Sequence, residues 1–72
     1  MTKSIYSKEY KNVTEKLKEA RIEVGLKQED VARKLKKPQS YISKVERCER
    51  RVDVAELKEL AKIYKKDINF FI

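Results

Sequence analysis

An all-α fold is predicted by three observations on this chain. Apolar residues recur at helical spacing, the strong breakers fall between those stretches, and no segment alternates with period two long enough to argue a strand. Gly25 and Pro38 are the single glycine and single proline. No internal repeat, low-complexity tract or linker interrupts the pattern.

The first helix is marked by Tyr10, Val13, Leu17, Ala20 and Val24, a stripe in steps of three and four. Gly25 ends it, free to take a left-handed conformation just beyond the last turn. A second helix is expected from about Gln28 to Leu35. Glu29 and Asp30 lie in its first turn, where the macrodipole favours acids, and Val31, Ala32 and Leu35 face inward. Lys36 and Lys37 turn the chain, and Pro38 suits the first position of a third helix running to about Val45. Ile42 and Val45 point inward there, with Tyr41 beside them. Asp53 with Glu56 makes a capping-box start for a fourth helix burying Leu57, Leu60, Ala61 and Tyr64, with Val52 stapled to Leu57. Asp67 caps a fifth, closing helical turn that holds Ile68, Phe70, Phe71 and Ile72. Residues 1–9 are expected as an arm, helical in part or not at all, and residues 10–72 as the single domain. The arm, with Ile5, Tyr6 and Tyr10, extends the first helix, covers a dimer seam or stays unfolded; the sequence leaves these three open.

A chain of 72 residues buries only about 60% of its unfolded surface on folding. A deep substrate cleft would consume most of that core. With no His and a single Cys, most nucleophile, general-base and zinc constellations are missing. No enzyme, cofactor or metal is expected. Lys and Arg number 19 against 12 Asp and Glu, for a net charge of +7, which favours a polyanionic partner. The positive residues are spread through amphipathic segments and no apolar run approaches the ~20 residues of a membrane span, so a membrane is not expected. The polar N-terminus has no apolar core of a signal peptide, and the lone Cys48 suits a reducing cytoplasm.

Gln28 to Val45 is the most specific stretch. Two helices joined by a tight turn need a small residue where they cross, which Ala32 supplies, and apolar flanks, which Val31, Leu35, Ile42 and Val45 supply. Such a unit projects the N-terminal half of its second helix outward, a shape that enters a major groove ~12 Å wide. With its flanks, QEDVARKLKKPQSYISKVERCER resembles the lambda-repressor-like (Cro/C1-type, XRE) helix-turn-helix family. The resemblance runs from about Leu17 to Ile72 and implies a compact five-helix DNA-binding domain.

Residue by residue, the resemblance implies that Gln39, Ser40, Ser43 and Lys44 meet base edges. Gln bonds adenine bidentately, Lys donates to guanine and Ser adapts to either. Gln28, with Lys27 and Lys37, is expected at the phosphate backbone, as are Arg47, Arg50 and Arg51 after the recognition helix. Tyr41 either reaches the backbone through its hydroxyl or packs against Leu35. Arg21 and Glu46 have the spacing of an ion pair that ties the first helix to the end of the third. The chain departs from the family in having Lys27 where a Ser or Thr cap is usual, Lys36 where the turn often has Gly, and Cys48 where Gly is usual. Lys36 must therefore avoid a left-handed conformation or hold one at a cost. At Cys48 an ordinary turn residue is weighed against a redox switch that blocks docking.

The function implied is sequence-specific binding of double-stranded DNA by a homodimer, on a (pseudo)palindromic operator, to regulate transcription. Phe70 and Ile72 either form the dimer interface or complete the monomer core. The short chain, with no expected sensing or cleavage domain, points to restriction-modification controller proteins, compact phage repressors or autoregulating antitoxins. A rival of another class is a protein-interaction module that uses the same fold to hold a toxin or another regulator.

Overall fold

The structure, a computed structural model, describes residues 8–72. It contains α1 (Lys8–Glu23), α2 (Gln28–Leu35), α3 (Gln39–Glu46), α4 (Val54–Ile63) and a closing 3-10 turn (Ile68–Phe70). The expectations attached to Ile5 and Tyr6 fall outside these residues, while Lys8 and Glu9 of the expected arm are already helical.

Two expectations on elements are corrected. The fold has four α-helices among the described residues, not five. The closing segment is held by two i→i+3 bonds, Phe70 N to Asp67 O at 2.9 Å and Phe71 N to Ile68 O at 3.0 Å. Asp67 caps it as foreseen, accepting from the Asn69 N–H at 2.8 Å, but that bond tightens the turn at its start. Pro38 is the N-cap of α3 rather than its first residue, because its ψ of 155° is extended. The proline ring fixes φ alone, and its carbonyl accepts from Tyr41 N at 3.0 Å.

α1 buries Leu17, Ala20 and one polar residue, Thr14. Thr14 is tolerated because its hydroxyl donates back to the Lys11 carbonyl at 2.9 Å. α2 and α3 contribute Val31, Ala32, Tyr41, Ile42 and Val45, while Leu57, Leu60, Ala61, Tyr64 and Phe71 close the core from the other side. Leu26, absent from the sequence-predicted stripe, packs against this core with Val13, Val24 and Leu35. Burying an aliphatic side chain of this size contributes about 1.5–3 kcal/mol.

All four helices end alike. A left-handed residue follows the last turns of each: Gly25 at φ 79°, Lys36 at 59°, Cys48 at 63° and Lys65 at 59°. The next N–H then reaches back five residues, Leu26 to Arg21 at 3.1 Å, Lys37 to Ala32 at 2.9 Å, Glu49 to Lys44 at 2.8 Å and Lys66 to Ala61 at 2.9 Å. Only the first of these ends is a glycine. The other three hold a conformation that costs an L-residue about 1–2 kcal/mol. At the helix starts, Asp53 and Glu56 exchange bonds at 2.7 and 3.1 Å. Lys27 offers no side-chain acceptor, but the Asp30 carboxylate accepts from its N–H at 2.9 Å. That bond holds the exposed Asp30 carboxyl below its usual pKa. No helix among the described residues is long and apolar enough to cross a membrane.

Candidate nucleic-acid interface

The α2–α3 crossing is built on Ala32, 3% exposed, with Val31, Ile42 and Val45 fully enclosed around it. Seating α3 by Tyr41, Ile42 and Val45 leaves Gln39, Ser40 and Lys44 exposed on its other side, and Ser43 half-buried. These four share one face because they recur at helical spacing.

One flank of that face is a hydrogen-bonded chain. Arg21 donates Nε and Nη2 to the two carboxylate oxygens of Glu46, at 2.6 and 3.1 Å, and its Nη1 to the Leu26 carbonyl at 2.9 Å. The side chains are 12% and 4% exposed, so this is an enclosed, bidentate pair. Its hydrogen bonds raise the Arg21 pKa further against the opposing effect of burial. Gln28 donates Nε2 to Glu46 at 3.0 Å, and its carbonyl oxygen accepts from Gln39 Nε2 at 3.3 Å. The Gln28 amide is thus engaged within the protein on both sides. It stands directly behind Gln39. Gln39 keeps its side-chain oxygen and one N–H, the acceptor and donor that an adenine edge requires.

The other flank is cationic. Lys36, Lys37, Lys44 and Arg50, with Ser40 and Tyr41, line a groove of about 360 Å³. The Lys37 ammonium sits 5.0 Å and the Arg50 guanidinium 4.5 Å from the centre of the Tyr41 ring, close enough for cation–π attraction. Arg50 is further fixed by Glu56 at 3.6 Å and by donating Nη1 to the Arg51 carbonyl at 2.8 Å. Tyr10 donates its hydroxyl to the Arg50 carbonyl at 2.9 Å, strapping the loop after α3 to α1. Sequence reasoning placed Tyr10 in the apolar stripe and with the N-terminal arm, and missed this strap.

Tyr41 is corrected. The residue is 6% exposed and its hydroxyl is enclosed without a hydrogen-bond partner of ordinary geometry, so it does not reach out to a phosphate. Burial, with the Glu56 carboxylate nearby, pushes its pKa up to about 12. Its outward contribution is the ring that holds two cations. Arg47 pairs with Glu49 at 3.1 Å, both more than half exposed, a contact worth at most about 1 kcal/mol and easily exchanged for a phosphate. Lys27 and Arg51 are exposed as well.

Phe70 and Ile72 differ. Ile72 is 73% exposed and Phe70 36%. The Phe70 ring meets Phe71 edge-on at 5.1 Å, and the ammoniums of Lys66 and Lys16 lie 4.7 and 5.7 Å from its centre. Phe71 itself is core. Among the described residues no three Cys, Asp or Glu side chains gather as metal ligands.

Compared with known proteins, the chain matches the family profile described as Helix-turn-helix over residues 17–71. That span opens at Leu17 in mid-α1 and includes every candidate residue named above except Tyr10, Lys16 and Ile72. No curated protein and no solved structure matches the chain significantly.

Proposed function

The chain belongs to the Cro/C1-type helix-turn-helix family of DNA-binding regulators, and from that premise we propose that it binds double-stranded DNA sequence-specifically as a homodimer and regulates transcription in the cytoplasm. The observation that carries the proposal is the two-flanked outer face of α3. Gln39 is oriented by Gln28, which rests on the Arg21–Glu46 pair, while Lys36, Lys37, Lys44 and Arg50 form a cationic groove beside it.

In this reading α3 enters the major groove. Gln39, Ser40, Ser43 and Lys44 meet base edges and select sequence. Lys27, Lys37, Arg47, Arg50 and Arg51 contact phosphates on either side and supply affinity that is blind to sequence. One helix of this length reads only a few base pairs. Useful discrimination therefore comes from two half-sites a helical turn apart, about 34–36 Å, bound by two copies whose contact includes Phe70 and Ile72.

Selection of bound sites from random duplex DNA tests the proposal. An enriched inverted repeat with half-sites centred about 10 base pairs apart is expected. Binding with no enriched sequence would refute it and favour the protein-interaction reading, in which a toxin or another regulator is the partner. That alternative leaves the oriented Gln39 and the adjoining cationic groove without a task.

A further inference from the structure

A second groove, with a volume of about 520 Å³, lies between α1 and the closing segment. Five of its lining residues, Glu9, Tyr10, Asn12, Val13 and Lys16, come from α1, and Arg51 closes the groove from the loop after α3. Glu9, Asn12, Val13 and Lys16, at spacing i, i+3, i+4, i+7, form one stripe of the helix. Ile72 stands at its rim, with Phe71 beneath.

The stripe is its own complement. Glu9 and Lys16 are equidistant from the midpoint between Asn12 and Val13, and lie about 10 Å apart along the axis. When a second copy of α1 runs antiparallel across it, the acid of each copy meets the base of the other. The small central residues, Asn12 and Val13, then sit where the helices approach most closely. Ile72, 73% exposed, supplies an apolar knob beside the Val13 and Phe71 side chains of the groove, the arrangement that a two-fold, self-complementary contact requires. Phe70 flanks this contact rather than entering the groove, because Lys16 and Lys66 already stand over its ring.

We propose that this groove is the dimer seat. Two copies pack α1 against α1 about a two-fold axis at Asn12–Val13, with Glu9 of each copy facing Lys16 of the other and Ile72 of each entering the other's groove. The inference rests on the homodimer reading above and adds its location.

Sedimentation of the full chain over a concentration series tests it. Glu9→Lys and Lys16→Glu each turn two attractive contacts into two repulsive ones and should weaken dimerisation about tenfold. The double variant should return to within about threefold of the parent. Lys16→Glu is decisive on its own, because it lowers the net charge from +7 by two. General charge repulsion then predicts a tighter dimer, and the pairing predicts a weaker one. Asn12→Cys in a Cys48→Ser background should form a reducible covalent dimer on mild oxidation. If both charge reversals leave dimerisation unchanged while Ile72→Lys abolishes it, the dimer stands and the α1 seat is wrong. A chain that stays monomeric both free and on a duplex with two half-sites overturns the dimer reading itself. Dimerisation that appears only after residues 1–7 are removed assigns the groove to this chain's own N-terminal segment and overturns the proposal.

Discussion

The two flanks of α3 reach the same outer face by different physics. On one, Gln39 is held by Gln28, and Gln28 by a carboxylate that Arg21 neutralises. The links are directional and geometrically strict, and those at Glu46 are partly buried. On the other, Lys37 rests on the Tyr41 ring, a contact that tolerates rotation and leaves its charge facing solvent, while Arg50 on the same ring is pinned by Glu56 and the Arg51 carbonyl. Directional links suit a side chain that must present one donor and one acceptor to a base. Loosely held cations suit a phosphate backbone, where charge matters more than orientation. In the proposed reading, the two sides of α3 thus divide selectivity from affinity.

Five changes would break or sharpen that contrast. The largest effect is expected for Glu46→Ala, which leaves the Arg21 guanidinium enclosed without its carboxylate and should cost about 3–5 kcal/mol of stability. Urea denaturation measures it, and a loss under 1 kcal/mol would show that the pair carries little. Gln39→Ala should remove about 1–3 kcal/mol of preference between the best site and a site altered at the base it reads. The salt dependence of binding should stay as it was; a change in slope would move Gln39 to the backbone class.

Tyr41→Phe removes an enclosed hydroxyl that has no hydrogen-bond partner of ordinary geometry and should stabilise the fold by about 1 kcal/mol. It also has a pH signature. The unfolded phenol ionises near 10, whereas the folded one stays protonated to about 12. The contribution is therefore complete below pH 10 and falls as pH rises toward 12, with Tyr64, also raised by burial, acting in the same direction. Denaturation midpoints from pH 9 to 12 should decline less steeply in the Phe variant. Lys36→Gly relieves a left-handed lysine at φ 59° and should add about 1 kcal/mol of stability, seen as a shifted urea midpoint. It also removes one cation from the groove, so DNA affinity should drop even as the protein becomes more stable. Arg47→Ala is the smallest change. It should weaken binding evenly across sequences and lower the slope of log K against log salt by about 0.9. A loss confined to one sequence would contradict a phosphate role.

Much of this architecture is legible from local signals. Gln28 to Leu35 was bounded correctly because acids in its first turn and apolar spacing act within a single helix. The Asp53–Glu56 box spans three residues and could be read directly. Pro38 was misplaced because its ring sets φ in the same way for a cap and for a first helical residue, and only ψ separates them. The closing segment carried apolar residues that fit either an α-helix or a tighter turn. Lys36 and Cys48 were noted as departures, but Lys65 was not, because a left-handed residue other than glycine leaves no mark in composition. The chain from Gln39 to Arg21 was half legible. The Arg21–Glu46 spacing is a family feature, whereas the links through Gln28 join residues 11 and 18 positions apart. Tyr41 was ambiguous because an aromatic beside an inward pair is core or surface depending on how far α4 covers it.

The three left-handed residues that are not glycine have one more consequence. At about 1 kcal/mol each, Lys36, Cys48 and Lys65 together raise the unfolded population roughly a hundredfold over a chain with glycine at those ends. A bound partner offsets nearly the same amount, about 2.7 kcal/mol when present at 100 times its Kd. Copies seated on DNA would then be shielded from proteolysis while surplus copies open more often.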